Sequence, residues 1–139
     1  MSQIIRFSVS LEADLLESFD RHCAEGKFAT RSEAVHQLIR EKLTANAWAN
    51  DSSDAAASLT VVYDHHKREL VDRLLDIQHD FQALIVSVQH IHLDHAHCLE
   101  IIVVKGRAGD IRRLHDRLQA LKGVKHAALS MTTTGKKIG

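Results

Sequence analysis

Residues 4–11 alternate, with Arg6, Ser8 and Ser10 on one side and Phe7, Val9 and Leu11 on the other. A period of two predicts a short, half-buried strand. The period then lengthens. From Ala13 to Ala24, Leu15, Leu16, Phe19 and Cys23 fall on one face of a helix, and Gly26 is its expected stop. Thr30-Arg31-Ser32-Glu33 reads as a capping box, with Thr30 as N-cap and Glu33 reaching back to its amide. The helix it opens places Ala34, Val35, Leu38, Ile39 and Leu43 inward. Between Asn46 and Ser58 the pattern fails, as in a linker or a frayed helix end.

A second run of elements follows. Strands are expected at Leu59–Asp64, Ala83–Leu93, Cys98–Lys105 and Val124–Met131. Helices are expected from His66 to about Ile77 and from a cap at Asp110 to Lys122, with Gly123 as a stop. The order βαββαβ is that of a ferredoxin-like fold. The chain is therefore expected to be α+β in two parts: a βαα domain over 1–48, a linker over 49–58, a βαββαβ domain over 59–133 and a tail over 134–139.

The βαα half cannot stand alone. A part of about 50 residues buries little surface, and its strand exposes unpaired amides and carbonyls. Pairing with the same strand of a second copy answers both needs and makes a two-fold ribbon. Such a ribbon fits the major groove of double-stranded DNA, with Arg6, Ser8 and Ser10 facing the bases. The start of the second helix, at Thr30, Arg31 and Ser32, offers free amides to a phosphate. Charge tempers this reading. Net charge is zero over 139 residues, and residues 1–50 hold six Lys and Arg against seven Asp and Glu. DNA contact must come from local placement, not from bulk charge.

Composition points elsewhere as well. Eleven residues are histidine, and five of them lie between positions 79 and 97, beside Cys98. His90 and His92 are two apart on a strand and share a face, which Val86 and Val88 would continue. Cys98 opens the next strand. Two imidazoles and a thiolate make most of a metal shell suited to zinc, nickel or copper. A single histidine on a strand is commonly just a satisfied polar residue; the pair with a cysteine is harder to dismiss. The fourth ligand stays open among His79, His95 and His97, and Glu100 can steady an imidazole from behind. Cys23 reads as a core thiol. Two cysteines make no disulfide framework, and no stretch reads as a signal peptide or membrane span, so a reducing cytoplasm is expected.

The motifs Tyr63-Asp64-His65-His66-Lys67-Arg68, Gln78-His79, Gln89-His90-Ile91-His92-Leu93-Asp94-His95, Cys98-Leu99-Glu100 and Val104-Lys105-Gly106 resemble the NikR nickel-responsive regulators. The first 45 residues resemble ribbon-helix-helix repressors. The resemblance implies a homotetramer, a dimer of dimers, with a central sensing domain of the ACT type and ribbon-helix-helix dimers at its ends. It implies one planar Ni(II) per subunit held by His90, His92 and Cys98, with His79 from another subunit. It also implies operator contacts from Arg6, Ser8 and Ser10 and backbone contacts from Lys67 and Arg68. Serines stand where many relatives carry threonine. Gln37 replaces one of two carboxylates that hold a further cation in some relatives, leaving Glu33 alone. The implied activity is nickel-dependent repression of nickel uptake genes, not catalysis. Alternatives are the same architecture sensing copper, cobalt or zinc, a metalloenzyme, and a ribbon-helix-helix antitoxin.

Overall fold

The computed structural model describes residues 2–136 and Ile138. Four helices and four strands run in the order α1 (Ala13–Glu25), α2 (Arg31–Ala49), β1 (Asp54–Asp64), α3 (Arg68–Asp80), β2 (Ile85–His92), β3 (His97–Arg107), α4 (Ala108–Ala120) and β4 (Val124–Thr132). The chain divides into two compact units, with the boundary between Leu43 and Thr44.

In the first unit, α1 ends as expected near Gly26, but the left-handed residue is Lys27, at φ 57°. The amide of Phe28 closes the turn on the Cys23 carbonyl at 3.0 Å. Thr30 caps α2, its Oγ1 accepting from the Glu33 amide at 3.1 Å. The returning bond goes one residue further than expected, from the Ala29 amide to the Glu33 carboxylate at 3.1 Å. Residues 2–12 form no strand. The expected 4–11 strand needs a partner ladder, and a single copy supplies none. Ile4, Ile5, Phe7 and Val9 are all at least 66% exposed. On α2, Leu38, Ile39 and Leu43, expected inward, are also exposed.

The second unit is a four-stranded antiparallel sheet in the order β2-β3-β1-β4. This is the ferredoxin-like arrangement expected from the element order. On β1, Ala55, Ala57, Leu59, Val61 and Tyr63 are buried, every second residue. Leu70, Leu74 and Ile77 of α3, with Ile111, Leu114 and Leu118 of α4, pack in the same core. Each such side chain contributes about 1.5–3 kcal/mol by leaving water.

Several boundaries differ from expectation. β1 begins at Asp54, so residues 54–58, expected as linker, are strand, and only 50–53 separate it from α2. α3 starts at Arg68, not at His66, because residues 65–67 make the turn after β1. α4 starts at Ala108, which puts Asp110 in its first turn, paired with Arg113, not at its cap. Gly123, at φ 101°, makes the turn into β4 where a stop was expected.

Candidate metal centre and nucleic-acid interface

The register of β2 on β3 decides which side chains meet. His92 lies directly opposite Cys98, and His90 opposite Glu100. On the other side of β3, Tyr63 of β1 faces Cys98 and Val61 faces Glu100. Opposed residues of an antiparallel pair share a face and stand about 4.5–5.5 Å apart at Cα. His90, His92, Cys98 and Glu100 thus share the face that carries the buried residues of β1. The expectation for Val86 does not hold. A bulge between Ile85 and Ser87 breaks the alternation, and Val86 is 63% exposed, whereas Val88 stays opposite buried Ile102.

Glu100 is the only buried charged side chain among the described residues, at 1% exposure. Burial of a carboxylate is costly unless its oxygens are used. Here both are. The Tyr63 hydroxyl donates to Oε2 at 2.9 Å, and the Gln78 amide donates to Oε1. His90 Nδ1 lies 3.6 Å from the same Oε2, within reach of a charge pair. Burial, and then the neighbouring Cys98 and Glu100, push the Tyr63 hydroxyl far above its ordinary range, so it stays a donor. Tyr63→Phe should cost about 1–3 kcal/mol, because it orphans a buried carboxylate oxygen. Urea unfolding checks this, and an unchanged midpoint would contradict it.

The hairpin between β2 and β3 explains His97. Asp94 Oδ1 accepts from the amides of Ala96 at 2.9 Å and His97 at 2.8 Å, and its carboxylate meets His97 Nδ1 at 2.9 Å. The His97 ring first, then these amides, holds the Asp94 carboxyl down at about 2. The folded pKa lies below the unfolded value of about 3.9. The turn's stabilisation is therefore present above that value and lost as pH falls through about 2. A carboxyl titration by NMR should find the midpoint near 2; an ordinary midpoint would refute this turn geometry. His97, once a rival fourth ligand, is thus a turn-building residue.

The remaining histidines form a cluster not visible from spacing. Asp64 pairs with His97 at the end of β1, which brings the following His65 and His66 to the hairpin. His65 lies tilted against His66 at 4.3 Å between ring centroids and meets His92 edge-on at 4.9 Å, while His66 meets His95 at 5.2 Å. His65 Nε2 also contacts the His95 carbonyl at 2.9 Å.

Among the described residues, no three His, Cys, Asp or Glu side chains converge on one metal position. His90 lies beside Glu100, and His92 rests on His65. His79, in the last turn of α3, is exposed and contacts none of the other three through its side chain. The backbone nevertheless fits a metal. A thiol and two imidazoles sit on one face of adjacent strands, a donor set that suits a transition metal. A buried carboxylate beside one imidazole suits a cation.

The groups expected to meet DNA lie in both units. Arg6, Ser8 and Ser10 are exposed. A groove of about 680 Å³ runs between their segment and the helices, lined by Ile4, Phe7, Val9, Leu16, Phe19 and Val35 among others. Arg31 holds Asp20 with two hydrogen bonds, at 2.8 and 2.9 Å. This pairing, ahead of all other causes, holds the Asp20 carboxyl below its usual range and the Arg31 guanidinium above its own. Thr30 spends its hydroxyl on the cap, and Ser32 is exposed. In the second unit, Lys67 and Arg68 begin α3 and share a groove of about 490 Å³ with Arg73 and Lys122. Those two cations were not singled out in the sequence, since they meet Lys67 only through the fold. Arg73 is paired with Glu69 at 2.6 Å.

Comparison with known proteins agrees with both halves. Residues 5–45 match the family described as ribbon-helix-helix protein, copG family. Residues 56–132 match the NikR C terminal nickel binding domain. A putative nickel-responsive regulator of Nitratidesulfovibrio vulgaris is 49% identical over 99% of both chains. One of Chlorobium phaeobacteroides is 52% identical over 96% of this chain and 98% of its own. The solved structure of an uncharacterized protein from Thermotoga maritima covers 58% of this chain and 100% of its own at TM-score 0.54 and 16% identity, a likeness of fold alone. No helix among the described residues is long and apolar enough to cross a membrane. The ribbon-helix-helix start, the sensing fold and the near-full-length relatives agree: the chain belongs to the NikR family of nickel-responsive transcriptional regulators.

Proposed function

We propose that this protein is a cytoplasmic homotetramer that binds operator DNA when it holds Ni(II), one per subunit, and so represses nickel uptake genes. The observation that carries the reading is the register that sets His92 against Cys98 and His90 against buried Glu100. His90, His92 and Cys98 would hold the metal together with the partner subunit's His79. Bound there, the metal supplies a cross-link between subunits.

The protein's own groups do the rest. Glu100 favours the proton on His90 Nδ1, which leaves Nε2 free as a ligand. Tyr63 and Gln78 hold Glu100 in place, and Gln78 ties that carboxylate to the helix carrying His79. The exposed apolar segment 4–11 and the open face of α2 support closure by a second copy, whose paired strand would present Arg6, Ser8 and Ser10 to the major groove. Lys67 and Arg68 would touch phosphates. The same architecture sensing copper, cobalt or zinc is the second reading, favoured by a donor set that suits those metals too.

Mixing separates a shared site from a local one. His79→Ala and Cys98→Ala chains, each poor in nickel binding alone, should regain part of the nickel-thiolate absorption when co-assembled. Absence of any recovery would contradict a ligand donated between subunits.

A further inference from the structure

Helix α2 runs unbroken from Arg31 to Ala49, yet the boundary between the two compact units falls inside it, after Leu43. Its last turn belongs to the second unit. Trp48, the chain's single tryptophan, is 3% exposed and part of that unit's core. Its indole N–H donates to the Thr132 carbonyl of β4 at 2.7 Å. Arg112 of α4 lies over the indole, 5.6 Å from the ring centroid, and donates to the Trp48 carbonyl. The same guanidinium reaches the Asp51 carboxylate at 2.7 Å.

The segment after the helix is tied down too. The Ala108 and Gly109 amides at the start of α4 donate to the carbonyls of Ser53 and Asp51, at 2.9 and 3.0 Å. The Asp51 and Ser53 carbonyls therefore satisfy two amides of the first turn of α4. α2 itself contains neither glycine nor proline, the usual sites of a kink. At 19 residues it is about 28 Å long.

We infer that Trp48 and Arg112 are positioning residues: they root the end of α2 in the sensing unit, and nickel-dependent DNA binding passes through that root. The inference rests on the nickel-gated reading above. A helix can carry a displacement from sensing unit to DNA-binding end only if its sensing end is held. The far end of this helix carries Thr30, Arg31 and Ser32.

The test uses the full-length protein, nickel alone as the metal, and a duplex of the DNA upstream of its own gene. Tryptophan emission reports Trp48 alone; it should be that of a buried indole and resist acrylamide with and without nickel. Trp48→Ala and Arg112→Ala should bind one nickel per chain with wild-type absorption and bind metal-free DNA as the wild type does. Their nickel-dependent gain in DNA affinity should fall at least fivefold, and Trp48→Phe, which keeps a ring in the site, should recover most of it. If circular dichroism shows Trp48→Ala unfolded, Arg112→Ala and Trp48→Phe decide. A full nickel-dependent gain in Arg112→Ala, or free-tryptophan quenching of the wild type, overturns the inference alone. A wild type with no nickel-dependent gain overturns the nickel reading and this inference with it.

Discussion

Cys98→Ala should abolish nickel-dependent DNA binding while the chain still folds. Cys98 is buried at 3% exposure between Tyr63 and His92 on the flanking strands. Replacing its thiol with hydrogen leaves a small void, at a cost of roughly 1 kcal/mol, the centre of the range for single substitutions. The sheet, held by three antiparallel ladders, should survive that. The metal site should not. Cys98 supplies the one sulfur donor beside His90 and His92, and nothing else in the register replaces it. Coupling between effector and DNA is commonly about 1–3 kcal/mol, roughly 5–150-fold in affinity. That whole factor should vanish in a gel-shift or anisotropy titration, with metal-free binding unchanged. A Cys98→Ala protein that still gains DNA affinity from nickel would remove Cys98 from the site.

Arg6→Ala should instead remove operator binding and leave nickel binding intact. Arg6 is exposed, so its loss leaves no cavity and no orphaned partner. On a paired strand it would grip a guanine with two hydrogen bonds, worth about 1–3 kcal/mol of discrimination. In a two-fold dimer the substitution would remove two such contacts at once, so the loss per dimer should reach about 2–6 kcal/mol, roughly tens to tens of thousands of fold in affinity. Ser8→Ala and Ser10→Ala should cost less, since each removes a single hydroxyl. Comparing operator with unrelated duplex at fixed salt gives the answer. Equal affinity of Arg6→Ala and wild type for the operator would show that this strand does not read bases.

Where hydrophobic period was strong, the fold was legible. Leu59, Val61 and Tyr63 enter the core at every second residue of β1, the expected strand, and Ile111, Leu114 and Leu118 enter it at helical spacing from α4. The pattern failed where small residues carry structure. Ala55, Ala56 and Ala57 are weak strand formers and read as linker, yet all three pair with β3, and Ala56 and Ala57 pair with β4 as well. The end of α2 lacks an apolar period, and only its packing in the second unit reveals why Trp48 is there. Alternation over 4–11 reads as a strand, but residues 2–12 form none in the single chain, since its ladder would need a second copy.

The site divides the same way. His90, His92, Cys98 and Glu100 follow from a period of two and one hairpin. Gln78 and Tyr63 do not, because their roles depend on where α3 and β1 bring them against Glu100. His65 and His66 join the hairpin only through the register of β1 on β3. His79 has no local geometry that assigns it; a ligand donated to another subunit, as proposed, would leave no mark within one.

The most direct test of nickel gating is binding to the DNA upstream of the protein's own gene, with and without one equivalent of nickel per chain, beside a zinc control. Tight binding only with nickel is the expected result. Equal binding with zinc or without metal would contradict nickel as the signal and leave the DNA-binding half standing alone.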